Sequence, residues 1–274
     1  MRGYRRGGPA IRPRLYINLG TAVVSGSYCE GYAFDAAFRT ETAVADRGYI
    51  VETCLRSGTF LIDWLSRELL GVDPQWRLEV LTALEAEAAA SPVGANGVML
   101  VPYWEGCMTP YWDAAARGVI AGLSGSTRRG NLYRALLEGV VLEQALASRR
   151  LQDGCGQTID HYVAVGGGTA SDLWMQILAD AAGVPVHRST SKEASSLGAA
   201  IAAARGCGWF RNFAEASSAM AGPVVRTFEP RPEEKAAYAE LSEIYGELWP
   251  ALSSWNRKLT RFVEQRLQRC NPRP

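Results

Sequence analysis

The stretch AVGGGTASDLWMQILAD (164–180) puts three glycines directly between a candidate strand and a candidate helix. That pattern could hold a phosphate. Glycine lets the backbone approach a ligand closely, and the free N–H groups of a helix start attract an anion. The same turn also serves α/β proteins as a plain connector, and it lacks the dinucleotide fingerprint and the Gly-Lys-Ser/Thr of a P-loop. Other groups capable of chemistry are sparse. The two histidines, His161 and His187, lie beside candidate strands, where structural roles are expected; a Ser-His-Asp hydrolase is disfavoured. Six cysteines (Cys29, Cys54, Cys107, Cys155, Cys207 and Cys270) are widely spaced without a CxxC pair, as suits reduced core thiols rather than a metal site or disulfide framework. Asp113 and Arg117, four apart in YWDAAARG, are expected to pair on one helical turn as structural supports.

Periodicity supplies the elements that must position these groups. HYVAV (161–165) reads as a strand, and the apolar stripe Leu173, Trp174, Ile177, Leu178, Ala181 as a helix that stops at Gly183. RLYINLGTAVVSGSYCEGY (14–32) reads as a hairpin turning at Leu19-Gly20-Thr21, and 48–55 as a further strand. Helices are predicted over 58–71, 73–91, 128–152 and 192–208, and strands over 97–103 and 183–189. Residues 231–267 form a long amphipathic helix, expected to be interrupted around Pro250. The Arg-, Gly- and Pro-rich residues 1–13 are expected to be disordered, and 269–274 to be a tail, leaving one α/β domain over 14–268.

The composition bounds the partners. With 274 residues, a net charge of +1 and 21% charged residues, nothing points to nucleic acid or an anionic membrane surface. No apolar run reaches the length of a membrane span and no signal peptide opens the chain, so a cytoplasmic protein is expected.

Four motifs together carry a resemblance. In TPYWDAAARGVIAGLSGSTRRGNLYRALLEG (109–139), Gly118, Ile120, Gly122 and Leu123 precede Asn131-Leu132 and Ala135-Leu136-Leu137-Glu138. GGGTASDLWMQILADAAGVPV (166–186), EASSLGAAIAAA (193–204) and FEPRPEEKAAYAEL (228–241) follow in order. In type and order these segments resemble the FGGY family of carbohydrate kinases, whose fold is two ribonuclease H-like lobes of the actin/hexokinase type. The resemblance covers the second lobe only, and implies a mixed sheet flanked by helices. It further implies that Gly167 and Gly168 lie against the phosphates or ribose of ATP or ADP, with Ser171 near the nucleoside. Gly20 and Thr21 would make a second phosphate contact, and Gly58, Thr59 and Asp63 would lie near the nucleoside. A branched side chain at 167 or 168 would have to adopt a left-handed backbone conformation.

The family's catalytic aspartate, in a Gly-Asp-Gln-like motif before the hairpin turn, has no counterpart: residues 1–19 contain no Asp or Glu. No catalytic residue and no metal ligand is therefore assigned; the carboxylates for Mg2+ are expected in the other lobe. Gly106-Cys107-Met108 and STRRGN (126–131) also depart from frequent family patterns. The expectation is an ATP-binding lobe of a kinase for a sugar or polyol, a pentulose such as xylulose favoured, and inactive alone. A separate first lobe and a homo-oligomer are the partners left open; the alternative is a non-catalytic nucleotide-binding module or pseudokinase.

Overall fold

A computed structural model describes residues 14–44, 48–191 and 193–270. The expected disordered segment 1–13, Lys192 and the end of the tail (271–274) lie outside the described residues. Among the described residues the strands are β1 (Arg14–Leu19), β2 (Val23–Cys29), β3 (Arg39–Thr42), β4 (Tyr49–Leu55), β5 (Met99–Val101), β6 (Val119–Ala121), β7 (His161–Val165), β8 (Val186–Ser189) and β9 (Val224–Phe228). Seven of them form one sheet in the order β3-β4-β2-β1-β7-β8-β9, and β5 pairs with β6 apart from it. The sheet is mixed: β1 runs parallel to β7 and β7 to β8, and the outer pairings are antiparallel. Alternation explains β1 and β2, where every second residue is buried, as one face meets the core and the other does not.

The helices are α1 (Thr59–Trp64), α2 (Arg77–Ala89), α3 (Arg129–Cys155), α4 (Asp172–Ala182), α5 (Ala194–Gly206), α6 (Phe213–Met220) and α7 (Pro232–Cys270). The helix expected over 58–71 is α1 continued by a π-turn at Leu65–Leu69, and that over 73–91 opens with a 3-10 turn at Pro74–Trp76. The core runs through α3, buried without a break from Tyr133 to Ala145 and therefore lacking a single apolar stripe. Its start is fixed by Asn131, whose Oδ1 accepts the Arg128 N–H at 2.8 Å and whose Nδ2 donates to Ser91 Oγ at 2.9 Å. Its end is fixed by Gly156 at φ +63°.

Two expectations are corrected. Pro250 does not interrupt α7. The carbonyl that a helical proline crowds belongs here to Gly246, and both sides of Pro250 are held to the body. Trp249 packs edge-on to Tyr103, ring centroids 4.8 Å apart, while Thr260 Oγ1 donates to the Ala115 carbonyl at 3.1 Å. Asp113 and Arg117 do not pair either, because 113–117 is not helical. Asp113 accepts Arg257 Nε at 2.7 Å and the Ala115 N–H at 3.0 Å, whereas Arg117 donates to the Ala116 carbonyl at 2.9 Å.

Two charged networks sit inside this core. Arg134 Nε donates to Glu138 Oε1 at 2.7 Å, and Tyr238 of α7 donates to the same oxygen at 2.8 Å. One turn further along, Glu143 accepts the hydroxyls of Tyr103 at 2.8 Å and Tyr245 at 3.0 Å. Burial pushes the Glu143 carboxyl up, against the opposing effect of these two phenol hydrogen bonds. A carboxyl with a higher pKa folded than unfolded keeps its proton longer in the native state, so stability falls as pH rises from the ordinary value of 4.5 through the raised one. Glu143→Gln is expected to flatten this fall, a change read by comparing unfolding midpoints at pH 5 and pH 8. An unchanged slope would show that Glu143 does not titrate differently in the two states.

Candidate functional site

The hairpin turn and the start of α1 form one locked backbone unit. The Gly58 N–H donates to the Thr21 carbonyl at 2.7 Å and the Thr59 N–H to the Gly20 carbonyl at 2.8 Å. A Cβ on Gly58 would overlap the Gly20 carbonyl oxygen, so only glycine allows this approach.

The three glycines after β7 have different tasks. Gly166 takes the left-handed conformation, φ +91°, and a Cβ there would overlap Asn18 Oδ1. Gly168 is buried, and a Cβ would stand 2.7 Å from the Trp174 ring and 2.9 Å from Leu19 Cβ. Gly167 is exposed, with nothing within 4 Å of an added Cβ. The left-handed backbone expected at 167 or 168 thus belongs to Gly166, which the turn itself requires.

Beyond the turn, Ser171 caps α4 by accepting the Trp174 N–H at 2.9 Å. The Ser171 hydroxyl donates to Glu85 Oε2 at 3.0 Å, and the Tyr133 hydroxyl donates to Glu85 Oε1 at 2.9 Å. Glu85 therefore ties α2 to α3 and to the start of α4. Asp172, in the first turn of α4, faces Arg188 of β8 and Arg226 of β9; the hydrogen bond from Arg188 leads in holding its carboxyl below the usual range.

An open cleft of about 820 Å³ lies between α1, α2 and this turn. Ile62, Leu78, Leu81, Ala86 and Leu173 give it apolar walls, and Thr59, Asp63, Glu85, Gly167, Gly168 and Ser171 give it polar or bare-backbone ones. The fold thus brings Thr59, Asp63, Gly167, Gly168 and Ser171 to one cleft, while Gly20, Thr21 and Gly58 do not line it and are tied to the start of α1 by backbone hydrogen bonds. Asp63 is ion-paired with Arg77. Trp174 Nε1 and Ser57 Oγ, both on fully buried residues, have no protein partner. No group of three or more His, Cys, Asp or Glu side chains among the described residues could hold a metal ion.

Glu85 and Tyr133 are among the lining residues that sequence reasoning missed. Glu79, Glu85 and Glu87 all lie on α2, and no local signal separates the one facing the cleft.

A mixed sheet with α3 and α4 crossing between its strands and a glycine turn after a central strand define a ribonuclease H-like lobe of the actin/hexokinase type. The comparisons agree. Solved structures sharing the fold include ligand-bound xylulose kinase from Lactobacillus acidophilus (TM-score 0.79, 23% identity, 90% of this chain and 49% of that one). Xylulose kinase from Rhodospirillum rubrum is similar at TM-score 0.78 and 26% identity, over 89% of this chain and 48% of that one. The profile of the FGGY family of carbohydrate kinases, C-terminal domain, matches residues 15–207, and the chain belongs to that family. A xylulose kinase from Staphylococcus epidermidis is 32% identical over 203 residues, covering 74% of this chain and 39% of the relative. A glycerol kinase from Gloeobacter violaceus is 34% identical over 215 residues, covering 75% and 41%. The chain spans about two-fifths of the length of these curated relatives. No helix of the described residues is long and apolar enough to cross a membrane.

Proposed function

We propose that this lobe binds ATP or ADP in the cleft between α1, α2 and α4, and serves a kinase that phosphorylates a sugar or polyol, a pentulose such as xylulose favoured. The observation carrying the reading is Gly167: bare, exposed backbone at the mouth of an apolar slot, at a strand-to-helix turn where phosphate or ribose can approach closely. The slot walls offer Ile62, Leu81 and Leu173 to a flat base, and Ser171 and Thr59 supply hydroxyls at its edge. The Gly20-Thr21 turn carries the second phosphate contact, and Gly58 and Asp63 complete the nucleoside side.

Phosphoryl transfer is mostly positioning and charge stabilisation. ATP would supply the transferable phosphoryl group, and the residues here orient its nucleoside and shield it from water. The cleft carboxylates Asp63, Glu85 and Asp172 are already partnered, and residues 1–19 carry no Asp or Glu. In this reading the base and the Mg2+ carboxylates are supplied from outside this cleft, by a first lobe, and the 274-residue chain alone turns over no sugar. That dependence also favours, as second reading, a lobe that binds nucleotide without catalysis.

Titration of the 274-residue chain with ADP, followed by ligand-detected NMR, should give affinity nearer millimolar than micromolar, with no xylulose or glycerol phosphorylation by the same preparation. Gly167→Val should weaken ADP binding more than tenfold with an unchanged circular dichroism spectrum, because an added Cβ has no protein atom within 4 Å and points into the approach. Gly168→Val is the poorer probe, since it would collide with Leu19 and Trp174. A folded Gly167→Val chain binding ADP as wild type does would remove the nucleotide site; robust turnover by the chain alone would remove the dependence on a first lobe.

A further inference from the structure

We propose that His161 and His187 together bind a divalent transition-metal ion, Zn2+, Ni2+ or Cu2+, on the sheet face. The chain has only two histidines, and the fold sets them on adjacent parallel strands with ring centroids 5.1 Å apart and ring planes tilted by 52°. His187 of β8 is in register with Val163 of β7, so His161 is its diagonal neighbour on the same face. Two imidazoles, each bound through one nitrogen at about 2.0–2.1 Å to a tetrahedral ion, have centroids about 5 Å apart. The observed centroid separation matches that value.

The other ring nitrogens are already engaged. His161 Nδ1 lies 2.6 Å from Asp160 Oδ1, and His187 Nδ1 lies 2.8 Å from Thr227 Oγ1. No side chain among the described residues takes either Nε2. This is how metal-ligating histidines are held: the second nitrogen donates its proton to a carboxylate or another acceptor, which fixes the tautomer and turns the ring. With an ion bound, each Nδ1–H donates, to Asp160 and to the Thr227 hydroxyl, and each Nε2 lone pair faces the metal. Any proton displaced from Nε2 goes to solvent.

The surroundings permit a cation. Arg14, the register partner of His161, carries its guanidinium over Tyr16, 5.0 Å from the ring centroid, and Arg188 is bound to Asp172. Glu229 adds a negative charge on the His187 side. No third His, Cys, Asp or Glu completes the set among the described residues, so water fills the remaining positions. Imidazole ligands then select Zn2+, Ni2+ or Cu2+ over Mg2+.

The test is calorimetric titration of the untagged chain with ZnCl2 alone. One ion should bind with micromolar affinity, and His161→Ala and His187→Ala should each weaken binding at least tenfold. Asp160→Ala, which leaves both ligands in place, should weaken it about tenfold. A measurement on wild type needs no substitution: substoichiometric Cu2+ should broaden the ring-proton signals of both histidines together. Equal Zn2+ affinity in wild type and both histidine variants, or broadening of one ring without the other, would overturn the proposal.

Discussion

Arg134→Ala is expected to destabilise the chain by about 3–5 kcal/mol, the size typical of removing one partner from a buried pair. Arg134 and Glu138 expose only 5% and 3% of their side chains, so water cannot replace the lost guanidinium. Arg134 also donates to the Ala88 carbonyl at 3.0 Å and to the Tyr238 hydroxyl at 3.1 Å, so its loss leaves acceptors on α2 and α7 as well as a carboxylate on α3. Burial already pushes Glu138 up, with the Arg134 charge the strongest influence pulling it down; without that charge the carboxyl would move further up. Replacing both members by apolar residues of similar volume, Arg134→Met with Glu138→Leu, should recover most of the loss. Urea unfolding of the three chains measures this. A loss under 1 kcal/mol in the single variant would show that the pair is not holding the helices together.

The second large effect concerns glycines that look alike in sequence. Gly139→Ala should gain about 0.5–1 kcal/mol of helix propensity. It should nevertheless destabilise by about 3 kcal/mol, the upper range for an overpacked core. A Cβ there overlaps the Leu100 carbonyl oxygen, a backbone atom of β5 that cannot step aside without shifting the β5–β6 pair. Gly198→Ala in α5 supplies the contrast. Nothing lies within 4 Å of its added Cβ, so the propensity gain should stand alone and raise stability by about 0.5–1 kcal/mol. Thermal unfolding of both variants decides: if both shift in the same direction, the close approach of α3 to β5 is not what demands glycine at 139.

The sequence made the central elements legible, because β1, β2, β4 and β7 alternate or run apolar as strands with a buried face do, and α4 carries a clean stripe. The edges were not. β9 is exposed at four of its five positions and becomes a strand only by pairing with β8. β3 is the polar RTET, marked by nothing but its ladder with β4, and β6 is three residues long. Within the cleft, the glycine turn was visible from its place between strand and helix. Glu85 was not, since its role comes from α2 lying opposite Tyr133 and Ser171, residues far away in the chain. Spacing misled at Asp113 and Arg117, where four residues imply a helical turn only if a helix is present.

The position of β1 at the middle of the sheet has a kinetic consequence. Its partner on one side, β2, follows at once through a tight turn, but on the other side Ile17 pairs with Ala164, after α1, α2 and α3 have all intervened. Closing so long a loop costs chain entropy before any parallel hydrogen bond forms, and such distant pairings slow folding. During synthesis the β1–β2 hairpin emerges early and must keep one edge open until β7 leaves the ribosome. The edge that waits is the one against which the glycine turn will close, so the cleft cannot take shape until β7 and the turn after it have been made.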